Sequence, residues 1–375
     1  MSAELFSLDP SVVHANNGSF GAVPLVVQQA QAAIKARAEA NPVRFFRVEQ
    51  RELVATARTA AAEFLGVDDG LVLVSNVTTG VATVLAALEL GEGDEIVVSD
   101  HGYGAVSIAC EARAARVGAA VRTAPVPLTA ERDATVQAFA DALTPRTKLV
   151  VVDAITSLTA MVFPVAEIAK LCHEQGVAVF VDAAHAPGQL PDDPESTGAD
   201  FWVGNFHKWA YAARGTAGLW LAPQWRDRIP PLVPSWAHPA GFPDAYSDVG
   251  TDDLSAWASL PTALEFWRAQ GGWDAVRRSA ALADKAVEVV AAALGAPGQV
   301  SPRHTPLMRL VPLPDGLVRD AEDANRYYDE LSTRHRVETT ISWWGGHCYV
   351  RLSSHLYNKI EDYEKVAAAL LEPRR

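Results

Sequence analysis

The run VAVFVDAAHAPG closes a wholly apolar stretch on Asp182, and 26 residues later ADFWVGNFHKWAYAARGTAGLWL carries His207 and Lys208 in a polar turn between apolar stretches. A carboxylate at the end of a buried strand is costly without a cationic partner. A lysine wedged between aromatics and strands is desolvated, which depresses its pKa and prepares the amine to form a Schiff base. Each also has an ordinary use: Asp at a strand end caps the following turn, and a lone lysine is solvated. Asn76-Val77-Thr78-Thr79-Gly80 lies where an apolar β-run hands over to a helical pattern, so its backbone donors and hydroxyls point at an anion favoured by the helix dipole. The commoner use of Thr at that location is a helix cap.

These residues need a scaffold that brings them together. LVLVSN (71–76), EIVVSD (95–100), KLVVVDAI (148–155) and VAVFVDAAH (177–185) are short apolar runs ending in polar residues. Helical patterns follow the first three, at GVATVLAALEL, 105–117 and 165–175. Strands alternating with helices imply right-handed crossovers and a mainly parallel sheet buried on both faces. In such α/β sheets the ligand lies outside the carboxyl ends of the strands, where Thr78, Asp182 and their neighbours converge. Residues 30–65 read as one long surface helix. After Gly250 the pattern changes to long helices (254–270, 273–294) and then β-like runs at 308–312, 337–343 and 347–353, so a second, α+β domain begins near residue 255.

A chain of 375 residues favours about two domains, and 49% hydrophobic residues supply enough apolar surface to offset the entropy of ordering it. Thirty-two basic against 45 acidic side chains leave a net charge of −13, which repels nucleic acid. The three cysteines, Cys110, Cys172 and Cys348, are too widely spaced for a zinc knuckle and too few for a disulfide framework, which fits a reducing, cytoplasmic setting without a structural metal. The first residues lack a signal-peptide pattern, and the most apolar stretch, 71–90, is interrupted by Ser75, Asn76, Thr78, Thr79 and Gly80, so no membrane span is expected.

Asp-x-x-His at a strand end, then Gly-x-Asp-Phe and Gly204-x-x-His207-Lys208-Trp209, resembles the fold-type I pyridoxal-phosphate enzymes. More narrowly it resembles the class V aminotransferase family, the branch that includes cysteine desulfurases and isopenicillin N epimerase. The likeness runs from Asn16-Asn17-Gly18-Ser19-Phe20-Gly21 to Arg351-Leu352-Ser353 and Tyr357-Asn358. It implies a large domain, 16–254, with a mainly parallel seven-stranded sheet sandwiched by helices, and a small α+β domain formed by 1–15 with 255–375.

The resemblance also implies the roles of individual residues. Lys208 would hold pyridoxal 5′-phosphate as a Schiff base and later shuttle a proton at Cα. Asp182 would keep the pyridine nitrogen protonated, making the ring an electron sink, and Tyr103 would stack on that ring. Thr78 and Thr79 would form the phosphate cup with donors from Asn205 and His207, and His185 or Ser157 would reach the phenolic oxygen. Gly250-Thr251 would cross to the partner's phosphate in a homodimer with shared sites. Arg351 would clamp the substrate carboxylate with its planar fork. Asn16, Asn17 and Phe20 would lie at the site mouth, and Arg44, Trp236, Trp343 and Trp344 could shape the side-chain pocket.

The cofactor motifs do not fix the reaction. Carbon-sulfur β-elimination on a cysteine S-conjugate-like substrate, in sulfur or secondary metabolism, is placed first. It needs only Lys208, the sink and a leaving group on Cβ. Epimerisation and transamination are the alternatives, and epimerisation needs a second acid–base group that the sequence does not name. A desulfurase needs a nucleophilic cysteine on a mobile loop, whereas Cys348 falls only three residues before Arg351 and reads as a packed strand residue. A non-catalytic cofactor-binding protein would be expected to lose Lys208, Asp182 or Arg351.

Overall fold

The computed structural model describes residues 3–67, 70–191 and 193–374. Seven strands form the main sheet: β1 (Leu71–Val74), β2 (Glu95–Ser99), β3 (Ala120–Ala124), β4 (Thr147–Asp153), β5 (Ala178–Asp182), β6 (Phe201–Asn205) and β7 (Ala217–Leu221). They lie in the order β1-β7-β6-β5-β4-β2-β3, and only β7 runs antiparallel to its neighbours. The expected mainly parallel α/β sheet is therefore present.

Why these runs became strands buried on two sides is visible in their alternation. Leu71, Leu73, Val150, Val152, Val179, Val181 and Trp202 enter one core cluster. Val72, Val74, Leu149, Val151, Phe180, Phe201 and Val203 enter another. Successive side chains of a strand point to opposite faces, so a continuous apolar run fills two cores at once. The polar residue that ends each run is left at the rim.

A three-stranded antiparallel sheet, β8 (Met308–Pro312), β9 (Thr340–Trp344) and β10 (His347–Ser353), packs against helices Gly272–Leu294 and Ala321–His335. Val13–His14 pairs in parallel with Val337–Glu338, which ties the first residues of the chain to this C-terminal layer. Thr339 separates that short pairing from β9, so the single β-run read over 337–343 is two elements serving different partners.

The long helix read over 30–65 is interrupted: α1 (Leu25–Ala40) stops at Asn41, and Pro42–Arg44 with the π-helical Phe45–Glu49 leads into α2 (Gln50–Leu65). Pro42 has no N–H and disfavours helical geometry at the residue before it. Asn41 accordingly leaves the helix (φ −155°, ψ 80°), and its side chain accepts from the Arg44 N–H at 3.1 Å. The helix read over 254–270 likewise divides into Ser255–Ala258 and Leu260–Ala269, with a proline opening the second piece. Among the described residues no helix is long and apolar enough to cross a membrane.

Candidate active site

A cavity of about 240 Å³ opens at the carboxyl ends of the parallel strands, lined among others by Thr78, Tyr103, Asp182, His185 and Lys208. Asp182 is the last residue of β5 and is buried. Its Oδ1 accepts from the Ala184 N–H at 2.9 Å, whereas Oδ2 is buried without any partner. Burial pushes this carboxyl above its ordinary range, opposed by the Ala184 N–H and the charge of Lys208. An orphaned acceptor of this kind requires a donor the chain does not supply.

Lys208 lies on the single helical turn Phe206–Trp209 that follows β6, and its Nζ is 3.0 Å from Nε2 of His185. Desolvation carries the amine down to about 7 against the pull of Asp182, with Arg351 lowering it further. Near neutrality a large share of Lys208 is thus a free nucleophile. A pyridine N–H satisfies Asp182 and an aldehyde satisfies Lys208, so the donor set fits pyridoxal phosphate.

At the anion end, α3 (Val77–Ala87) begins beneath β1. Asn76 caps it by accepting from the Thr79 N–H at 2.9 Å. Asn205, expected as an anion donor, directs its oxygen to the Val77 N–H at 3.1 Å, leaving only its amide nitrogen for an anion. Thr79 turns its hydroxyl back to Asn76 and does not line the cavity, a correction to its expected place in the cup; Thr78 does line it. His207 has Nδ1 3.1 Å from the Thr216 carbonyl, and burial lowers it to about 4. A carbonyl only accepts, so the neutral ring presents an Nε2 lone pair. Donation to phosphate requires a further proton, which a bound dianion would favour.

Tyr103, half-exposed, stands at the start of α4 (Gly104–Val117), and Ser157 and the exposed Phe20 complete the wall. Arg351, in β10, borders this cavity through Ser19 and Ser157. Its Nη2 donates to Asn16 Oδ1 at 2.9 Å, Thr340 Oγ1 at 3.0 Å and Ser19 Oγ at 3.4 Å, and Nη1 donates to the Ser157 carbonyl. It is 2% exposed, its Nε has no partner, and burial lowers it to about 10. All of these partners are neutral, so among the described residues no counter-ion compensates the guanidinium.

Other expected residues lie elsewhere. Asn17 is buried and braces the site from behind: its Nδ2 donates to the Lys208 carbonyl at 3.0 Å, and its Oδ1 accepts from Ala22 N and Tyr357 Oη, both at 3.1 Å. Arg44 sits on the surface, paired with Glu49 at 3.0 Å, and within one chain it does not reach the cavity. Thr251 lines a different groove beside Lys35, Phe45 and Gln50. Trp236, Trp343 and Trp344 do not line the cavity; Trp344 stacks on His101 at 4.3 Å. All three cysteines are free and buried, with burial pushing each thiol up to about 12. Cys348 sits within β10.

Two contributors escaped the sequence reading. Asp153 ends β4 in register with Asp182 and lines the same cavity; its signal was a polar residue closing an apolar run, the same as that of Asp182. Ser19 lines the wall and reaches Arg351, and only its place in the Asn16–Gly21 stretch hinted at that.

The family model for class V aminotransferases matches residues 21–366. Isopenicillin N epimerase of Streptomyces clavuligerus is 31% identical over 97% of this chain and 95% of its own length. L-cysteine desulfhydrase of Arabidopsis thaliana is 30% identical over 96% and 87%. The cystine C–S lyase C-DES, solved with its product cysteine persulfide, has a TM-score of 0.83 at 24% identity, covering 96% of this chain and 97% of that one, which speaks for the fold.

Proposed function

The chain belongs to the class V aminotransferase family of pyridoxal-phosphate enzymes, and from that premise we propose that it catalyses carbon-sulfur β-elimination from a cysteine-like amino acid. The observation that carries the reading is the unpartnered Oδ2 of Asp182 sharing one buried cavity with the depressed amine of Lys208. Asp182 would hold the ring nitrogen, His185 the phenolic oxygen, Tyr103 the ring face, and Thr78 with the start of α3 the phosphate. When bound, the cofactor supplies a conjugated electron-withdrawing ring, so that a bond at Cα can break and leave its electron pair behind.

Arg351, a buried cation without a counter-ion among the described residues, selects a substrate with an α-carboxylate and fixes how Cα is presented. Lys208 Nζ takes the Cα proton. The Cβ–S bond then breaks and sulfur leaves as a thiol or sulfide; with one water consumed, the remaining products are pyruvate and ammonia. This outcome asks for a single proton-moving group at Cα, which Lys208 can be. A desulfurase outcome is disfavoured because Cys110, Cys172 and Cys348 are buried away from the cavity.

Epimerisation is the second reading, and Tyr103 favours it, since its half-exposed phenol lines the cavity and would serve as the second proton donor. The reading also includes a homodimer. Exposed Val43 and Val48 and the groove between Phe46 and Thr251 would form its interface, in a reducing cytoplasm, with the chain dividing into its large and small domains near residue 254. The test is incubation with L-cysteine or a cysteine S-conjugate in deuterated water. Pyruvate and ammonia are expected; Cα-deuterium exchange with inversion and no keto acid would replace the lyase with the epimerase.

A further inference from the structure

His185 is approached from both ring nitrogens. Lys208 Nζ lies 3.0 Å from Nε2, and the indole Nε1 of Trp209 lies 3.3 Å from Nδ1. An indole nitrogen only donates. Nδ1 is therefore the acceptor of that bond, and in a neutral imidazole the single ring proton is left on Nε2. We infer that Trp209 is a positioning residue that fixes the Nε2–H tautomer of His185, so that the imidazole donates into the cavity: to the Lys208 amine in the free protein, and to the phenolic oxygen of the cofactor once it is bound. This rests on the roles of Lys208 and His185 proposed above.

The surroundings hold both rings in place. Trp209 is wholly buried on the turn that carries Lys208, and it meets His355 edge-on at 5.5 Å and 73°. A Cβ added at Gly18 would stand 3.3 Å from the Trp209 ring, and one at Gly188 would stand 2.7 Å from the Trp209 carbonyl, so the indole and its backbone are clamped on two sides. The His185 carbonyl accepts from Gln189 Nε2 at 3.0 Å, and Gln189 Oε1 in turn accepts from Thr305 and from Leu307 N.

The imidazole is neutral chiefly because it is buried. The charge of Arg351, and that of Lys208 when protonated, add to the opposition to a second proton on it. The acidic groups of the cavity, Asp182 and Asp153, act on Lys208, and His355, on the far side of Trp209, is itself lowered to about 3 by burial.

The tautomer has a chemical consequence. An Nε2 lone pair would accept from an ammonium and hold Lys208 charged. An Nε2–H opposes protonation of the amine and favours the deprotonated phenolic oxygen. A side chain with both donor and acceptor atoms at position 209 would allow either ring orientation; an indole allows one.

Cofactor-free protein labelled with ¹⁵N-histidine gives the direct reading, with the His185 signals identified by their loss in His185→Gln. Long-range ¹H–¹⁵N spectra are expected to show Nε2 protonated and Nδ1 bare, and a mixture of tautomers in Trp209→Phe. Protonated Nδ1 in the unsubstituted protein would overturn the inference, and that measurement needs no variant of Trp209 to fold. The second reading is the pH midpoint of the visible absorption of pyridoxal-phosphate-loaded protein. Trp209→Phe is expected to raise it by about half to one pH unit, and to leave it unmoved in the His185→Gln background. Equal shifts in both backgrounds would mean that Trp209 acts by packing and would sink the proposal. Because the tautomer is read without cofactor, an Nε2–H ring in a protein that never turns yellow upholds the role of Trp209 and removes instead the reading of Lys208.

Discussion

Asp153 and Asp182 are register partners at the carboxyl ends of adjacent parallel strands, and both are buried against one cavity. Two like charges so placed cannot both ionise cheaply. Burial and the charge of Asp182 push Asp153 well above its ordinary range, while backbone N–H groups, including that of Tyr103, oppose the shift. Asp182 has the Ala184 N–H and Lys208 to favour its anion. The division of labour this favours is one neutral acid, Asp153, and one carboxylate, Asp182, which in the proposed reading would be kept for a ring nitrogen.

A stability profile follows from that division. A carboxyl whose folded pKa is raised contributes stability that is present below its unfolded pKa, near 4, and is lost as pH rises through the folded value. Asp153→Asn copies the protonated acid and removes the titration. Its thermal midpoint relative to the unsubstituted cofactor-free protein is expected to be unchanged near pH 4 and to rise progressively toward pH 8. A difference that does not vary with pH would count against a buried neutral Asp153. Asp182→Asn, by contrast, is expected to lower activity about 100-fold or more, measured with saturating cofactor.

Cofactor capture should track the amine of Lys208. With Lys208 at about 7, the neutral, nucleophilic fraction increases as pH rises through that value. The initial rate at which cofactor-free protein turns yellow is expected to climb roughly tenfold between pH 6 and pH 8 and then level off. Lys208→Ala should give no borohydride-stable pyridoxyl peptide at any pH. A flat rate across this window would show the amine to be fully deprotonated or never exposed to the aldehyde.

Arg351 offers a test of substrate class. Three neutral oxygen partners orient its Nη2, and no carboxylate among the described residues pairs with it. Arg351→Lys retains the charge without the fork, and Arg351→Met removes both. Truncating one member of a buried charge pair costs about 2–5 kcal/mol, so kcat/KM for an amino acid should fall by about 30-fold to several thousand-fold in Arg351→Met. The matching amino-acid amide, which lacks the carboxylate, should be a poor substrate of the unsubstituted enzyme and lose far less on substitution. Equal losses for both would mean that Arg351 supports the fold and not the carboxylate.

What could be read from the sequence was whatever a strand's period exposes. Asp182, Lys208 and Thr78 each follow an apolar run, and the end of such a run is the rim of a parallel sheet. The division of 30–65 at Asn41–Pro42 was missed by a reading that took the stretch as one helix, although proline carries its own stop signal. The Asn17 contact with the Lys208 carbonyl joins residues 191 positions apart, and no local periodicity announces a pairing of that kind. Arg44 shows the converse: an arginine beside two phenylalanines resembles a pocket residue until the surface pair with Glu49 is seen. Which nitrogen of His185 carries the proton depends on an indole that the sequence presents only as an apolar neighbour of Lys208.

Gly21 joins these levels. The N-terminal segment crosses the Lys208 turn so closely that a Cβ at Gly21 would overlap the His207 carbonyl oxygen, and its φ of +70° is one that side chains rarely adopt. The same segment carries Asn17, Ser19 and Phe20, so the crossing sets the back, the wall and the mouth of the cavity at once. Gly21→Ala is expected to destabilise the fold by about 2 kcal/mol or more, and to weaken cofactor retention by pushing the His207–Lys208 turn away. The check is denaturant unfolding together with the dissociation rate of pyridoxal phosphate after gel filtration, using Gly215→Ala as the control. Gly215 also has positive φ, at +86°, but nothing stands within 4 Å of its missing Cβ. If the two substitutions release cofactor equally fast, backbone strain alone explains the loss, and the close approach at Gly21 does not position Lys208.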